Sequence, residues 1–170
     1  MITRFIHLLV LSGFILSLHC TSGKVLKDVQ QSANGLLSRK RGLIEFFVMI
    51  KCKASRNPFD FNNYGCWCGL GGKGKPLDEV DSCCRDHDNC YKSLRLSGAC
   101  GVIDQQLPLT IYARPYSFKE CTVCEPASHY KQDGECLYGL CKCDADAAKC
   151  FAKYEDKYNV KFKFYPKLFC

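Results

Sequence analysis

SCCRDHDNCY, at residues 82–91, holds three cysteines, one of the chain's four histidines and two aspartates within ten residues. Three interpretations are open: a metal site, a catalytic centre, or a cluster of disulfides with charged residues among them. Residues 77–96 contain no internal glycine or proline, so we expect one long helix to carry this stretch.

A second cysteine-rich stretch repeats the spacing of the first. Cys83 and Cys90 are seven residues apart, about two helical turns, which places them on one helix face. Cys143 and Cys150 have the same spacing in residues 140–158, the second predicted long helix. Antiparallel helices would allow Cys83–Cys150 and Cys90–Cys143 to close together. Spacing alone does not prove this pairing, but it is the economical arrangement.

Such cross-links would also position the polar residues of the first helix. His87 would lie level with Asp146 and within one turn of Asp144, so either aspartate is a candidate partner. Asp88 lies about 100° round the helix from His87 and on the same side as Cys84, four residues earlier. A bond from Cys84 to a loop cysteine would direct Asp88 at the backbone of that loop.

The loop in question is YGCWCGLGGKGKP, residues 64–76, with five glycines between positions 65 and 74. No regular element tolerates that density, so the backbone must turn tightly or closely approach another group. A carboxylate facing a glycine-rich backbone is typical of a hard cation such as calcium, bound by Asp88 and carbonyl oxygens. A zinc site is disfavoured, because the cysteines are needed for disulfides.

The histidine suggests a different task from that of Asp88. A histidine beside an aspartate is typical of a general base held in one tautomer, and a water is the natural nucleophile where no serine or free cysteine is evident. The combination indicates metal-assisted hydrolysis. A structural His87 with solvated aspartates is the simpler alternative, but it does not account for the convergence of loop, histidine and two aspartates.

Composition predicts export. Residues 1–23 have the layout of a signal peptide, with Arg4 ahead of an apolar run too short to span a membrane. Of the 15 cysteines, Cys20 falls in that segment, which leaves 14 for seven bridges. An exported chain so rich in cysteine is predicted to be a disulfide-bonded, secreted, extracellular protein.

A processing site is predicted at SRKR, residues 38–41, where a protease would cut after Arg41. Residues 24–41 would then be a propeptide and residues 42–170 a single domain. The whole chain has a net charge of +7, but residues 1–41 hold six Lys/Arg and one Asp, so residues 42–170 carry only +2. We therefore expect no nucleic-acid partner.

The predicted fold is mainly α and disulfide-rich. It has two long antiparallel helices cross-linked by disulfides, an N-terminal amphipathic helix over residues 42–52 and the glycine-rich loop. Residues 101–120 read as an irregular excursion, and a small β-hairpin is expected around Asp133–Gly134.

These motifs resemble a known family. YGCWCGLGGKGKP, DSCCRDHDNCY and CKCDADAAKCF together resemble secreted phospholipase A2, over nearly all of residues 42–170. The N-terminal helix with Cys52 and the final Cys170 resemble the pancreatic/elapid (group I) type. Three departures stand out. Trp67 replaces the usual tyrosine, the stretch from Cys100 to Cys121 is longer than usual, and Cys121 and Cys124 are unusually close, with a longer gap to Cys136.

The resemblance implies calcium-dependent hydrolysis of the sn-2 ester of glycerophospholipids, with Ca²⁺ as cofactor. His87 would take a proton from the attacking water, and Asp144 would orient His87. Tyr91 and Tyr116 would hydrogen-bond Asp144. Calcium and the Gly69 N–H would stabilise the oxyanion. The implied calcium ligands are the Asp88 carboxylate and the carbonyls of Trp67, Gly69 and Gly71.

The resemblance also implies a full set of disulfides. The bridges would be Cys52–Cys121, Cys66–Cys170, Cys68–Cys84, Cys83–Cys150, Cys90–Cys143, Cys100–Cys136 and Cys124–Cys141.

The expected partner is a phospholipid membrane or micelle surface, with the protein itself a monomer. A set of apolar residues has the character to line an opening to His87: Leu43, Phe46, Ile50 and Leu70. The alternative function is a non-enzymatic toxin or receptor-binding protein on the same scaffold.

Overall fold

The computed structural model of the chain describes residues 41–170. The predicted signal peptide, residues 1–23, and residues 24–40 of the predicted propeptide lie outside the described part. Within residues 41–170 the elements are four α-helices, a two-stranded sheet and short 3₁₀ turns. The helices are α1 (Arg41–Ala54), α2 (Glu79–Leu96), α3 (Gly101–Gln106) and α4 (Gly134–Lys153), and the strands are β1 (Phe118–Lys119) and β2 (Val123–Cys124).

The N-terminal helix and the first long helix confirm their predictions. Helix α2 begins two residues later than expected, because Asp78 caps it: its Oδ1 accepts the Asp81 N–H at 2.8 Å. Helix α1 packs on α4, and so does α2, which makes α4 the central element. The buried core comes from all three helices, with Met49 and Ile50, Val80, and Leu140 and Phe151.

The second long helix is confirmed, but its bounds differ from the predicted residues 140–158. Helix α4 starts at Gly134 and ends at Lys153, with a 3₁₀ turn at Glu155–Lys157 after it. Gly139 therefore lies inside the helix, although glycine is a poor helix former. Its missing side chain makes room for α2: a Cβ at Gly139 would lie 2.7 Å from Leu94 Cδ1. Close packing of two helices outweighs the local preference here.

The predicted hairpin around Asp133–Gly134 was also wrong. Strands β1 and β2 pair antiparallel, with Phe118 opposite Cys124. Their turn runs through Glu120 and Cys121, both in the left-handed region, and the Thr122 N–H donates to the Glu120 carbonyl at 2.8 Å. Asp133, at φ 57°, instead leads into α4. The aspartate–glycine pair thus marks a helix start rather than a strand turn.

The disulfide predictions are confirmed throughout. Cys83–Cys150 and Cys90–Cys143 join α2 to α4, each with Cα atoms 5.7 Å apart, so the two helices are antiparallel. The other five bridges also match: Cys52–Cys121, Cys66–Cys170, Cys68–Cys84, Cys100–Cys136 and Cys124–Cys141.

A buried carboxylate ties the glycine-rich loop to α2. Asp81, fully buried in the first turn of α2, accepts the N–H of Cys66 at 2.8 Å, of Trp67 at 2.7 Å and of Leu77 at 2.9 Å. Gly65 has φ +57°, and a Cβ there would overlap the Asp81 carboxylate. Three charge-assisted hydrogen bonds satisfy the buried charge and hold both ends of the loop.

We expect Asp81→Asn to destabilise the protein by about 2–4 kcal/mol, because the amide NH₂ would face a backbone N–H that now donates to a carboxylate. Denaturant unfolding with intact disulfides measures the change. Asp86→Asn is the matched control, since Asp86 lies on the same helix with an exposed side chain. Equal stability of the two variants would contradict this role of Asp81.

Candidate active site

An apolar cavity of about 340 Å³ opens between α1, the glycine-rich loop and α2. All four apolar residues predicted to line an opening do so: Leu43, Phe46, Ile50 and Leu70. His87 and Asp88 also line this cavity, together with Trp67 and Gly69 of the loop. The structure therefore brings the predicted polar and apolar residues to one place.

His87 is paired with Asp144, which decides between the two aspartates that the sequence left open. The distance from His87 Nε2 to Asp144 Oδ1 is 2.6 Å. Asp144 is fully buried in α4. Asp146 has an exposed side chain and contacts Lys149 at 3.2 Å instead. Because a carboxylate only accepts hydrogen bonds, Nε2 carries the proton of the neutral ring and Nδ1 is the acceptor.

Aromatic rings fix the orientation of His87. The Phe46 ring of α1 stacks on the imidazole, with centroids 4.6 Å apart and an interplanar angle of 13°. Tyr91, one helical turn after His87, lies at 4.7 Å. The histidine is thus held by a hydrogen bond at Nε2 and by ring contacts.

The second oxygen of Asp144 is satisfied by a tyrosine. Tyr116 donates its hydroxyl to Asp144 Oδ2. Burial and then the Asp144 charge raise the pKa of Tyr116 above its ordinary value. Tyr91 has a pKa raised by the same causes in the same order, with a hydrogen bond to Asp144 contributing. Both hydroxyls stay protonated at neutral pH and can donate to the carboxylate.

Asp88 faces the glycine-rich loop. A Cβ at Gly72 would lie 3.0 Å from Asp88 Oδ2 and 2.7 Å from Trp67 Cε3, so the glycine allows loop and carboxylate to approach. Burial raises the pKa of Asp88, and the charges of His87 and Lys167 oppose the rise. A partly desolvated carboxylate beside the glycine-rich backbone is suited to a cation.

The donor set of the loop fits calcium better than a transition metal. Gly69 and Gly71 both have positive φ, which lets the backbone curl. The Cys66 carbonyl accepts the Lys73 N–H at 3.3 Å, and the Cys68 carbonyl accepts Lys167 Nζ at 3.1 Å. Neither carbonyl is one of the expected calcium ligands. Across residues 41–170, no three His, Cys, Asp or Glu side chains group as metal ligands. One carboxylate with several carbonyls is hard-cation chemistry.

Sequence reasoning missed three residues at this site. Lys167 reaches the loop from the C-terminal segment. Tyr112 and Leu109 line the cavity, and Tyr112 stacks on Tyr91 at 4.8 Å. Burial and then the Asp88 charge raise the pKa of Tyr112 to about 12. No local signal marks Leu109 and Tyr112, because residues 101–120 read as an irregular excursion; that prediction was wrong for residues 101–106, which form α3. Lys167 lies far along the chain.

Comparisons with known proteins agree on one family. The Phospholipase A2 family model matches residues 43–163. A phospholipase A2 of Calliactis polypus is 35% identical over 91% of this chain and 89% of its own length. A phospholipase A2 of Ovis aries is 40% identical over 75% of this chain and 99% of its own length. The group 10 secretory phospholipase A2 of Homo sapiens is 36% identical over 77% of this chain and 71% of its own length.

Tyr116→Phe should lower the free energy of unfolding by about 1–3 kcal/mol, because the buried Asp144 carboxylate loses a hydrogen-bond donor. Thermal or denaturant unfolding measures this loss. Tyr138→Phe removes a hydroxyl from an exposed tyrosine of α4 and serves as the control. The pairing of Tyr116 with Asp144 would be refuted if both variants unfolded like the unchanged protein.

Proposed function

Since this chain belongs to the phospholipase A2 family and is an enzyme that hydrolyses phospholipids, we propose that it does so with bound calcium and a water activated by His87. The products are a fatty acid from the sn-2 position and a lysophospholipid. One observation carries the proposal. The His87–Asp144 hydrogen bond lies at an apolar cavity, and in the same cavity Asp88 faces the glycine-rich loop.

His87 acts as the general base. Its Nε2–H donates to Asp144, which leaves Nδ1 to take a proton from a water in the cavity. The water oxygen forms a bond to the ester carbonyl carbon as His87 becomes an imidazolium, stabilised by Asp144. When the ester C–O bond breaks, His87 returns the proton to the leaving oxygen. Tyr91 and Tyr116 keep Asp144 in place as donors.

Calcium would be held by Asp88 and by the carbonyls of Trp67, Gly69 and Gly71. When bound, the ion supplies positive charge that stabilises the oxyanion of the tetrahedral intermediate. The Gly69 N–H is the protein's own donor to that oxygen. A cradle made of backbone groups needs little reorganisation, because Asp81 and the Cys68–Cys84 bridge already fix the loop.

The substrate enters from a lipid aggregate. Leu43 and Leu70 are exposed at the cavity, whereas Phe46 and Ile50 lie further in, so the lining leads from the surface to His87. An acyl chain can replace water along this lining. A membrane or micelle surface is thus the proposed partner.

The cellular setting follows from the same features. We propose a secreted, monomeric enzyme, released by cleavage after Arg41 and of the pancreatic/elapid type; the Cys52–Cys121 bridge supports this type. Seven disulfides fit an oxidising compartment. No helix within residues 41–170 is long and apolar enough to span a bilayer. A non-enzymatic toxin is not favoured, because the family relatives are phospholipases and His87, Asp88 and Asp144 are intact.

Chelation of calcium should reduce fatty-acid release from phosphatidylcholine vesicles to background, and added calcium should restore it. Asp88→Asn should require more calcium for half-maximal activity, because the ligand loses its charge. Asp86→Asn on the same helix is the control and should behave like the unchanged enzyme. Release that persists in chelator would refute calcium dependence while leaving phospholipid hydrolysis intact.

His87→Gln should fold normally and lose about 10²–10⁴-fold in kcat, because glutamine cannot take the proton from water. The control is His129→Gln, an exposed histidine outside the cavity. Calcium binding by His87→Gln, measured by calorimetry, should be retained. Undiminished turnover would contradict the general-base role.

A further inference from the structure

The C-terminal segment, residues 160–170, lies along the glycine-rich loop. The Cys66–Cys170 disulfide joins the two covalently. Near the beginning of the loop, the Gly65 N–H donates to a carbonyl of the segment at 2.9 Å. Near its end, a Cβ on Gly74 would overlap the Cys170 carbonyl oxygen, so the missing side chain permits this approach. The segment is therefore fixed against both ends of the loop.

Lys167 extends from this segment toward the middle of the loop. Its Nζ donates to the Cys68 carbonyl at 3.1 Å. The Lys167 side chain is partly buried, although the residues on either side of it are exposed. It lies on the short 3₁₀ turn Lys167–Phe169, directly before the bridged Cys170. The disulfide therefore holds the backbone that carries this ammonium group.

The ammonium group also lies near Asp88. Its acceptor Cys68 is bridged to Cys84, one helical turn before Asp88. Burial raises the pKa of Asp88, and the charges of His87 and then Lys167 oppose the rise. Burial in turn lowers the pKa of Lys167, and nearby carboxylates, Asp88 among them, oppose the fall. The two charges are thus close enough to attract each other.

Lys167 therefore acts on both parts of the expected calcium site. The Cys68 carbonyl lies between two of the expected ligands, the carbonyls of Trp67 and Gly69, and the hydrogen bond from Lys167 holds that peptide group. The ammonium charge acts on Asp88, the carboxylate of the same site. The protein thus has a cation of its own at the place where calcium is expected.

We infer that Lys167 is the counter-cation of the calcium site, which balances Asp88 in the ion-free protein and weakens the binding of calcium. One carboxylate cannot neutralise both an ammonium group and a dication, so calcium meets repulsion from Lys167 as it binds. Salt screens charges at a partly buried site less than charges on the surface. The inference rests on the proposed calcium dependence and makes Lys167 a positioning residue, which sets the calcium concentration at which the site fills.

The test compares calcium binding by the unchanged protein and its variants. Lys167→Met removes the charge, and Lys167→Arg keeps it. Lys161→Met is the matched control, because Lys161 is an exposed lysine of the same segment. Binding is measured by calorimetry and by the fluorescence of Trp67, the chain's one tryptophan, which lies in the loop. Lys167→Gln replaces the methionine variant if that variant does not fold.

Lys167→Met should lower the Kd for calcium by about threefold to tenfold, because the repulsion is removed. Lys167→Arg and Lys161→Met should bind calcium like the unchanged protein. Equal or weaker binding by Lys167→Met would overturn the inference, since the lysine would then only hold the shape of the loop. A loss of calcium binding in Lys167→Arg would overturn it as well.

A second measurement tests the charge pair without calcium. In chelator, Lys167→Met should lower the melting temperature by about 2–5 °C, and by less when Asp88→Asn is also present, because the ammonium then has no charge to balance. Equal shifts in the two backgrounds would overturn the pairing.

Failure of the proposed function is distinguishable from failure of this inference. If the unchanged protein binds no calcium in either assay, the proposed calcium dependence and the inference are both wrong. If the unchanged protein and Lys167→Met bind calcium with the same Kd, the inference alone is wrong and the proposed function stands.

Discussion

The two disulfides between α2 and α4 are the constraint on which the rest of the structure depends. Cys83–Cys150 and Cys90–Cys143 fix both the antiparallel direction and the level of one helix against the other. A shift of one residue in this register would turn His87 away from Asp144 by about 100°. Catalytic geometry of this kind needs atoms held within fractions of an ångström, and covalent bonds on both sides of His87 provide that.

Three buried aspartates fix the segments around the α2–α4 pair, as the disulfides fix the pair itself. Asp81 receives three backbone N–H groups and holds the loop, Asp144 holds His87, and Asp104 of α3 pairs with Arg114. A buried charge is tolerated only when its oxygens are satisfied. Each carboxylate therefore dictates where several donors must lie, which makes it a local organiser of one functional part.

The division between polar and apolar surface follows the proposed reaction. The ionisable side chains His87, Asp88 and Asp144 lie where the proposed reaction takes place, and they are partly or fully withdrawn from water. Toward the surface the lining becomes aliphatic, with Leu43 and Leu70 exposed at its edge. Such an arrangement admits a lipid and excludes water that is not part of the chemistry.

The sequence by itself determined the long helices, the glycine-rich loop and the candidate residues, because helical spacing and glycine density are local properties. Resemblance supplied the bridges that spacing left open. Helical spacing left Asp144 and Asp146 open as partners of His87, the resemblance implied Asp144, and the tertiary structure shows that pairing. Only tertiary structure decided that Gly139 lies inside a helix to admit Leu94. It also placed the hairpin and showed that Asp81 holds the glycine-rich loop. These features depend on contacts between distant segments, whose free energy outweighs local preference.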